Sequence, residues 1–141
     1  MSYYRDKTKT EAFADLGART VNKMNEYSAI ANDGAIVLEC WNQYIKSLPD
    51  GTWRYQIDDL SSWTNLHGKD LMLQHLELAL SEDRPIKLII ARLKNDPNAE
   101  VGGMDASNEP KVIIPYTDRT GRVVELSSNN LIIDFRKQKE S

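Results

Sequence analysis

Residues 69–93 read KDLMLQHLELALSEDRPIKLIIARL. Leu71, Met72, Leu73, Leu76, Leu78, Ala79 and Leu80 spread over more than one face of a helix expected to begin near Lys69, so neighbours must cover it on several sides. Pro85 has no N–H to continue that helix and restricts the residue before it, which makes Arg84-Pro85 a turn. Ile86 to Leu93 then follows as an almost unbroken apolar run, the pattern of a strand covered on both faces. A buried helix feeding a central strand is the expected core.

Upstream of this unit, residues 1–9 carry Arg5, Lys7 and Lys9 with little to bury and are expected to form a flexible tail ahead of a single domain over 10–141. From Thr10, an expected N-cap, Phe13, Leu16, Thr20, Met24, Tyr27 and Ala31 recur at helical spacing, weakened at Gly17 and ended by Asn32-Asp33-Gly34. Ala35 to Tyr44 is rich in β-branched and aromatic residues and predicts a strand. Pro49-Asp50-Gly51 marks a turn, after which Trp53, Tyr55 and Ile57 alternate with Arg54, Gln56 and Asp58, so a second strand should pair with the first through a long connection.

Downstream, residues 95–110 hold Pro97, Gly102, Gly103 and Pro110 and few large apolar side chains, the composition of a moving or binding loop. Lys111 to Tyr116, Arg122 to Leu126 and Leu131 to Phe135 predict three short strands in a meander, with turns at Asp118 to Gly121 and Ser127 to Asn130. Pro115 suggests that the first lies at an edge or ends there, because proline cannot donate to a ladder. The fold class expected is α+β: one domain with a mainly antiparallel, curved or partly closed sheet of about six strands and two helices. Strand-rich halves around one buried helix resemble the layout of small PUA-like pseudo-barrels, which read RNA or modified DNA bases. No motif is shared with them.

Composition narrows the function classes. With 141 residues, 40% hydrophobic and 28% charged, the chain suits one globular core and not a disordered segment. A lone cysteine, Cys40, within an apolar run, and the lack of any long apolar segment point to a reducing cytoplasm and no membrane partner. The net charge of −3 is uneven: residues 1–83 hold 13 Asp/Glu against 8 Lys/Arg, whereas residues 84–141 hold 8 against 10. An acidic chain attracts nucleic acid only through a local basic patch. Arg119, Arg122, Arg136, Lys137 and Lys139, with Lys87, Arg92 and Lys94, supply one if the meander lies beside the Ile86 strand.

Trp41, Tyr44, Trp53, Tyr55 and Trp63 suit either core packing or base stacking, and Trp63, outside the strands, is the strongest candidate for stacking. His67, Asp70 and His75 lack the i, i+4 spacing of a helical metal site and stand near no nucleophile motif, so capping is their simpler role. Cys40 reads as an inert buried thiol, Gly102-Gly103 as flexibility without a phosphate loop, and Asp58-Asp59 and Glu82-Asp83 as solvated surface. No catalytic residue, metal ligand or cofactor site is named. The leading expectation is a non-catalytic binding domain for a nucleic acid or base-like ligand. Trp63, Arg119, Arg122, Arg92, Trp53 and Tyr55 are its candidate contacts, with Gly102 and Gly103 in the bordering loop. The alternatives are a regulatory or inhibitor module that presents its acidic half to a basic protein partner, and an enzyme whose site is gathered from distant positions.

Overall fold

The structure is a computed structural model that describes residues 8–19, 27–63, 66–93 and 111–138. The helices are α1 (Lys9–Asp15) and α2 (Leu66–Ser81), and the strands are β1 (Ser28–Ile30), β2 (Ile36–Trp41), β3 (Ile45–Ser47), β4 (Trp53–Ile57), β5 (Ile86–Leu93), β6 (Lys111–Leu126) and β7 (Leu131–Lys137). They build a seven-stranded sheet in the order β1-β2-β5-β6-β7-β4-β3. The α+β class is as expected, with one more strand than anticipated. Antiparallel pairing dominates, but β2 and β5 run parallel, so the sheet is mixed.

The first helix is shorter than its periodicity suggests. Thr8, not Thr10, caps it: the Thr8 hydroxyl accepts from the Glu11 N–H while the Glu11 carboxylate accepts from the Thr8 N–H, a reciprocal capping box. Thr8 and Lys9 therefore belong to the folded domain and not to a tail. Gly17, at φ +84°, closes the other end. Gly17 N–H bonds Ala14 O and Ala18 N–H bonds Phe13 O, the two bonds of a Schellman motif, which a left-handed glycine permits without a Cβ clash. Beyond it, Ser28–Ile30 is strand and not helix, so the apparent helical spacing of Tyr27 and Ala31 is coincidental.

The expected hairpin also forms between different partners. Asn42–Tyr44 makes a 3-10 turn after β2, and β3 then pairs with β4 across the Asp50-Gly51 turn. This leaves β2 to pair with β1 on one side and β5 on the other. β5 is central, as its apolar run predicts, and β2 and β6 flank it. The turn expected at Asp118 to Gly121 is instead an interruption within one long strand. Tyr116 pairs with Leu88 and Thr120 with Lys87, so residues 117–119 bulge out of the β5 ladder, while on the other side Arg119 already pairs with Lys137 of β7. β6 runs past Pro115 and lies inside the sheet between β5 and β7, so it is not an edge strand, but Pro115 itself pairs only with Ile89 of β5 and has no partner in β7. The loop expected at residues 95–110 lies outside the described residues.

Both faces of the β2–β5 region are covered. Ser28, which pairs with Leu38, reaches His75 of α2 with a 2.7 Å hydrogen bond, so that face lies under α2. Lys87, which pairs with Val37, donates to Leu16 O beyond α1 at 3.0 Å, so the other face lies under α1. The β3-β4-β7-β6 half is two-sided in its chemistry. Tyr55, Ile133 and Val123 share one face, with Tyr55 and Ile133 fully buried, while Lys46, Arg54, Asp134 and Arg122 share the other. The Tyr55 hydroxyl stands 3.4 Å from the Trp41 N–H although β4 and β2 are four places apart in the sheet, about 19 Å if it were flat. The sheet must therefore curl, without closing.

On the polar face, Arg54 grips Asp134 with two parallel bonds, Nε to Oδ1 at 2.7 Å and Nη2 to Oδ2 at 2.9 Å. Bonds to the Arg54 guanidinium hold the Asp134 carboxyl below its ordinary range, against the opposing effect of burial. The folded chain thus takes up this proton at lower pH than the unfolded chain, whose aspartates titrate near about 3.9. The stabilisation is complete above that value and is lost as pH falls through the folded one. Asp134→Asn is expected to lower stability by about 2 kcal/mol at neutral pH and to flatten the acid limb of a stability-versus-pH curve. An unchanged acid limb in urea titrations would remove the pair from the account.

Candidate functional site

The β3–β4 turn supplies one wall of a surface depression. Gly51 adopts φ +87°, its N–H bonds Leu48 O, and Thr52 N–H donates to Asp50 Oδ1 at 2.9 Å, so the turn is internally braced. That bond, followed by lesser contributions that include nearby Arg136, holds the Asp50 carboxyl below its ordinary range. The bulge of β6 brings Arg119 to the same place. Its Nη1 donates to Gly51 O at 3.0 Å and to Phe135 O at 3.4 Å. Its Cζ lies 3.5 Å from the centroid of Trp53. At that separation a steeply tilted guanidinium would drive a nitrogen into the ring, so the fork lies nearly flat on the indole. Tyr116 closes on Trp53 from the side, edge to face at 5.3 Å.

Asp50, Gly51, Thr52, Arg119, Arg136 and Lys137 line this depression, whose volume is about 410 Å³. A second depression, of about 280 Å³, is lined by Lys87, Tyr116, Arg119 and Gln138 with Asp15, Leu16 and Thr117. Arg119 borders both. Its Nε and Nη2 meet no acceptor among the described residues, and Arg136 and Lys137 likewise have no ion-pair or hydrogen-bond partner there. By contrast, Lys87 is held by Asp33 at 3.0 Å. Asp118, next to Arg119, has one buried carboxylate oxygen without a hydrogen bond. Burial raises the Tyr116 phenol above its ordinary range, so it stays a neutral hydroxyl at physiological pH.

The candidate residues read from the sequence separate in the fold. Arg119 and Trp53 meet directly. Trp63 is only 3% exposed and packs edge-on against Tyr27 at 5.4 Å, so its ring belongs to the core and offers no open platform for a base. Tyr55 is fully buried, with its phenol pushed well up, chiefly by burial. Arg122 is spent on Asp83, to Oδ1 at 3.2 Å and to the carbonyl at 3.0 Å. Arg92 is exposed, at the opposite end of β5 from Lys87. Gly102 and Gly103 lie outside the described residues, as do Lys94 and Lys139. Among the described residues the expected basic edge is therefore concentrated where the C-terminal end of β7 meets the middle of β6.

Other polar groups sit inside. His67 and Asp70 are exposed in the first turns of α2, and His75 bonds Ser28, itself buried. Burial, and after it the charge of Glu39, pushes the Cys40 thiol well up, so this cysteine is a packing residue. Glu39, on β2, is buried with neither carboxylate oxygen accepting a hydrogen bond. Lys9 Nζ approaches it to 3.7 Å from α1 and lies 5.7 Å from the Tyr27 ring centroid. A glutamate within Ala-Ile-Val-Leu-Glu-Cys-Trp was the available sign of a buried carboxylate. Nothing in the spacing of Trp53, Tyr116 and Arg119 announces their contact.

The described residues contain no group of three or more His, Cys, Asp or Glu placed to hold a metal, and no helix long and apolar enough to cross a membrane. The chain matches no protein-family model, no curated protein and no solved structure. The functional reading therefore rests on the depression and its chemistry.

Proposed function

We propose that this chain is a binding domain for nucleic acid, which it holds through the phosphate backbone where the C-terminal end of β7 meets the middle of β6. The observation that carries the reading is the 410 Å³ depression lined by Arg119, Arg136 and Lys137, the last two unpaired among the described residues. The side chains of Arg136 and Lys137 make no ion pair or hydrogen bond among the described residues, although Asp50 and Asp134 lie near Arg136, and the local excess of positive charge answers the objection that the chain is acidic overall. Asp50 shares the depression, but its carboxylate is directed to the Thr52 N–H.

The test is fluorescence anisotropy of the full chain with a labelled single-stranded oligonucleotide across a salt series. Three phosphate contacts predict a slope of log K against log salt of roughly −2, since each contributes about 0.7 on a single strand. Arg136→Ala with Lys137→Ala should weaken binding about tenfold or more and flatten the slope by about 1.4. Arg122→Ala, which removes a cation already held by Asp83, should change little. Absence of binding at low salt, or a double variant that binds like the parent, would end this reading and turn the search to protein partners.

A further inference from the structure

We infer that the preferred ligand is a single strand whose base stacks on the outer face of the Arg119 guanidinium, extending the Trp53–Arg119 stack by one layer. This rests on the phosphate reading above and goes beyond it by assigning a base-recognition element. One face of the guanidinium is covered by Trp53 at 3.5 Å. Its edge is pinned by Gly51 O and Phe135 O, and Thr52 and Phe135, which flank these anchors, are buried. An arginine so fixed has lost most of its rotamer freedom before a ligand arrives, which lowers the entropic cost of stacking.

With Trp53 over one face and Nη1 on the two carbonyls, Arg119 still borders both depressions, and its Nε and Nη2 meet no acceptor among the described residues. A planar, delocalised cation backed by an indole is a platform for a nucleobase, because every base has a π-face and the contact needs no particular hydrogen-bond pattern. Arg136 and Lys137 flank that platform on the side of the larger depression, where a neighbouring sugar-phosphate would pass, and Gln138 borders it on the side of the smaller one, whose Lys87 is already held by Asp33. In a duplex the base is already stacked on its neighbours and offers no such face. The recognition is therefore of an unpaired base with a phosphate held beside it.

The experiment compares three probes on the full chain: a labelled single-stranded oligothymidylate, an abasic deoxyribose-phosphate strand of the same length, and thymidine monophosphate as competitor. The base-bearing strand should bind about tenfold or more tighter than the abasic one, which is the usual scale of one base–platform stack. Arg119→Lys keeps the charge but removes the plane, so in this variant the base-bearing and abasic strands should bind alike and the tenfold difference should vanish. A circular-dichroism spectrum and melting temperature like the parent's show that the variant is folded. Equal, salt-sensitive binding of both strands by the parent chain would overturn the base platform and leave the phosphate reading standing. Failure of both strands to bind would end both. Displacement by monophosphate at matched nucleotide concentration would make the ligand a free nucleotide and overturn the strand.

Discussion

Replacing Lys9 with methionine is expected to lower folding stability by about 3–5 kcal/mol, the usual cost of leaving one member of a buried ion pair behind. The methionine keeps the apolar stem but removes the ammonium that approaches Glu39 to 3.7 Å. The Glu39 side chain is fully buried and neither oxygen accepts a hydrogen bond, so Lys9 is its compensating charge among the described residues. In a chain of this size the loss should appear as a fall in Tm of roughly 10 °C or more. Combining Lys9→Met with Glu39→Leu should recover most of it, because a well-packed apolar pair often matches or exceeds a buried ion pair. Urea unfolding of the single and double variants decides the matter. A single variant within about 1 kcal/mol of the parent would mean that water or rearrangement already solvates Glu39.

Gly121→Ala should destabilise by about 2–3 kcal/mol, the cost of forcing a methyl into a filled core. A Cβ at this position would stand 2.5 Å from Phe135 Cε1, 2.6 Å from Cδ1 and 3.1 Å from Ile133 Cγ2. Both side chains are fully buried, so neither can swing aside into solvent. Backbone conformation plays no part, since Gly121 is not among the positive-φ glycines. In an unhindered strand the same change would help by about 0.5–1 kcal/mol through the lower entropy of the unfolded chain, so even the sign of the effect tests the contact. Adding Phe135→Leu should make the double variant more stable than the two single losses predict, with a coupling of about 1 kcal/mol or more. Additive losses would show that the ring is not what Gly121 accommodates.

These two positions also show how differently the features were encoded. The Thr8-to-Glu11 spacing carries the capping box, but the longer run of apolar residues from Phe13 to Ala31 suggested a helix that Gly17 interrupts. A left-handed glycine costs nothing locally and permits a Schellman end, whereas periodicity summed across it counts residues that belong to different elements. The site was legible in the same partial way. The basic C-terminal residues were visible as a set, but their selection was not. Asp83 neutralises Arg122 and Asp33 holds Lys87, contacts between residues far apart in the chain, and what remains open is Arg119, Arg136 and Lys137. Trp63 reads as a loop ring because local sequence cannot register that Tyr27 packs against it.

By itself the sequence determined the local units: the apolar α2, the turn at Pro85, the central β5, the alternating β4 and the final strands. Each of these follows from side-chain period and from backbone groups that proline and glycine withhold or free. Of α2, however, the fold buries only the face of Met72, Leu76 and Ala79 and leaves Leu66 and Leu80 exposed. Only the tertiary structure decided the pairing: β2 parallel to β5, β3 and not β2 against β4, and one long β6 in place of two strands. Register is chosen by what each face must cover once all the elements meet, and no stretch of chain carries that information alone. The same holds for the stack of Arg119 on Trp53. It joins residues 66 positions apart only because β4, β7 and β6 lie side by side in a curled sheet.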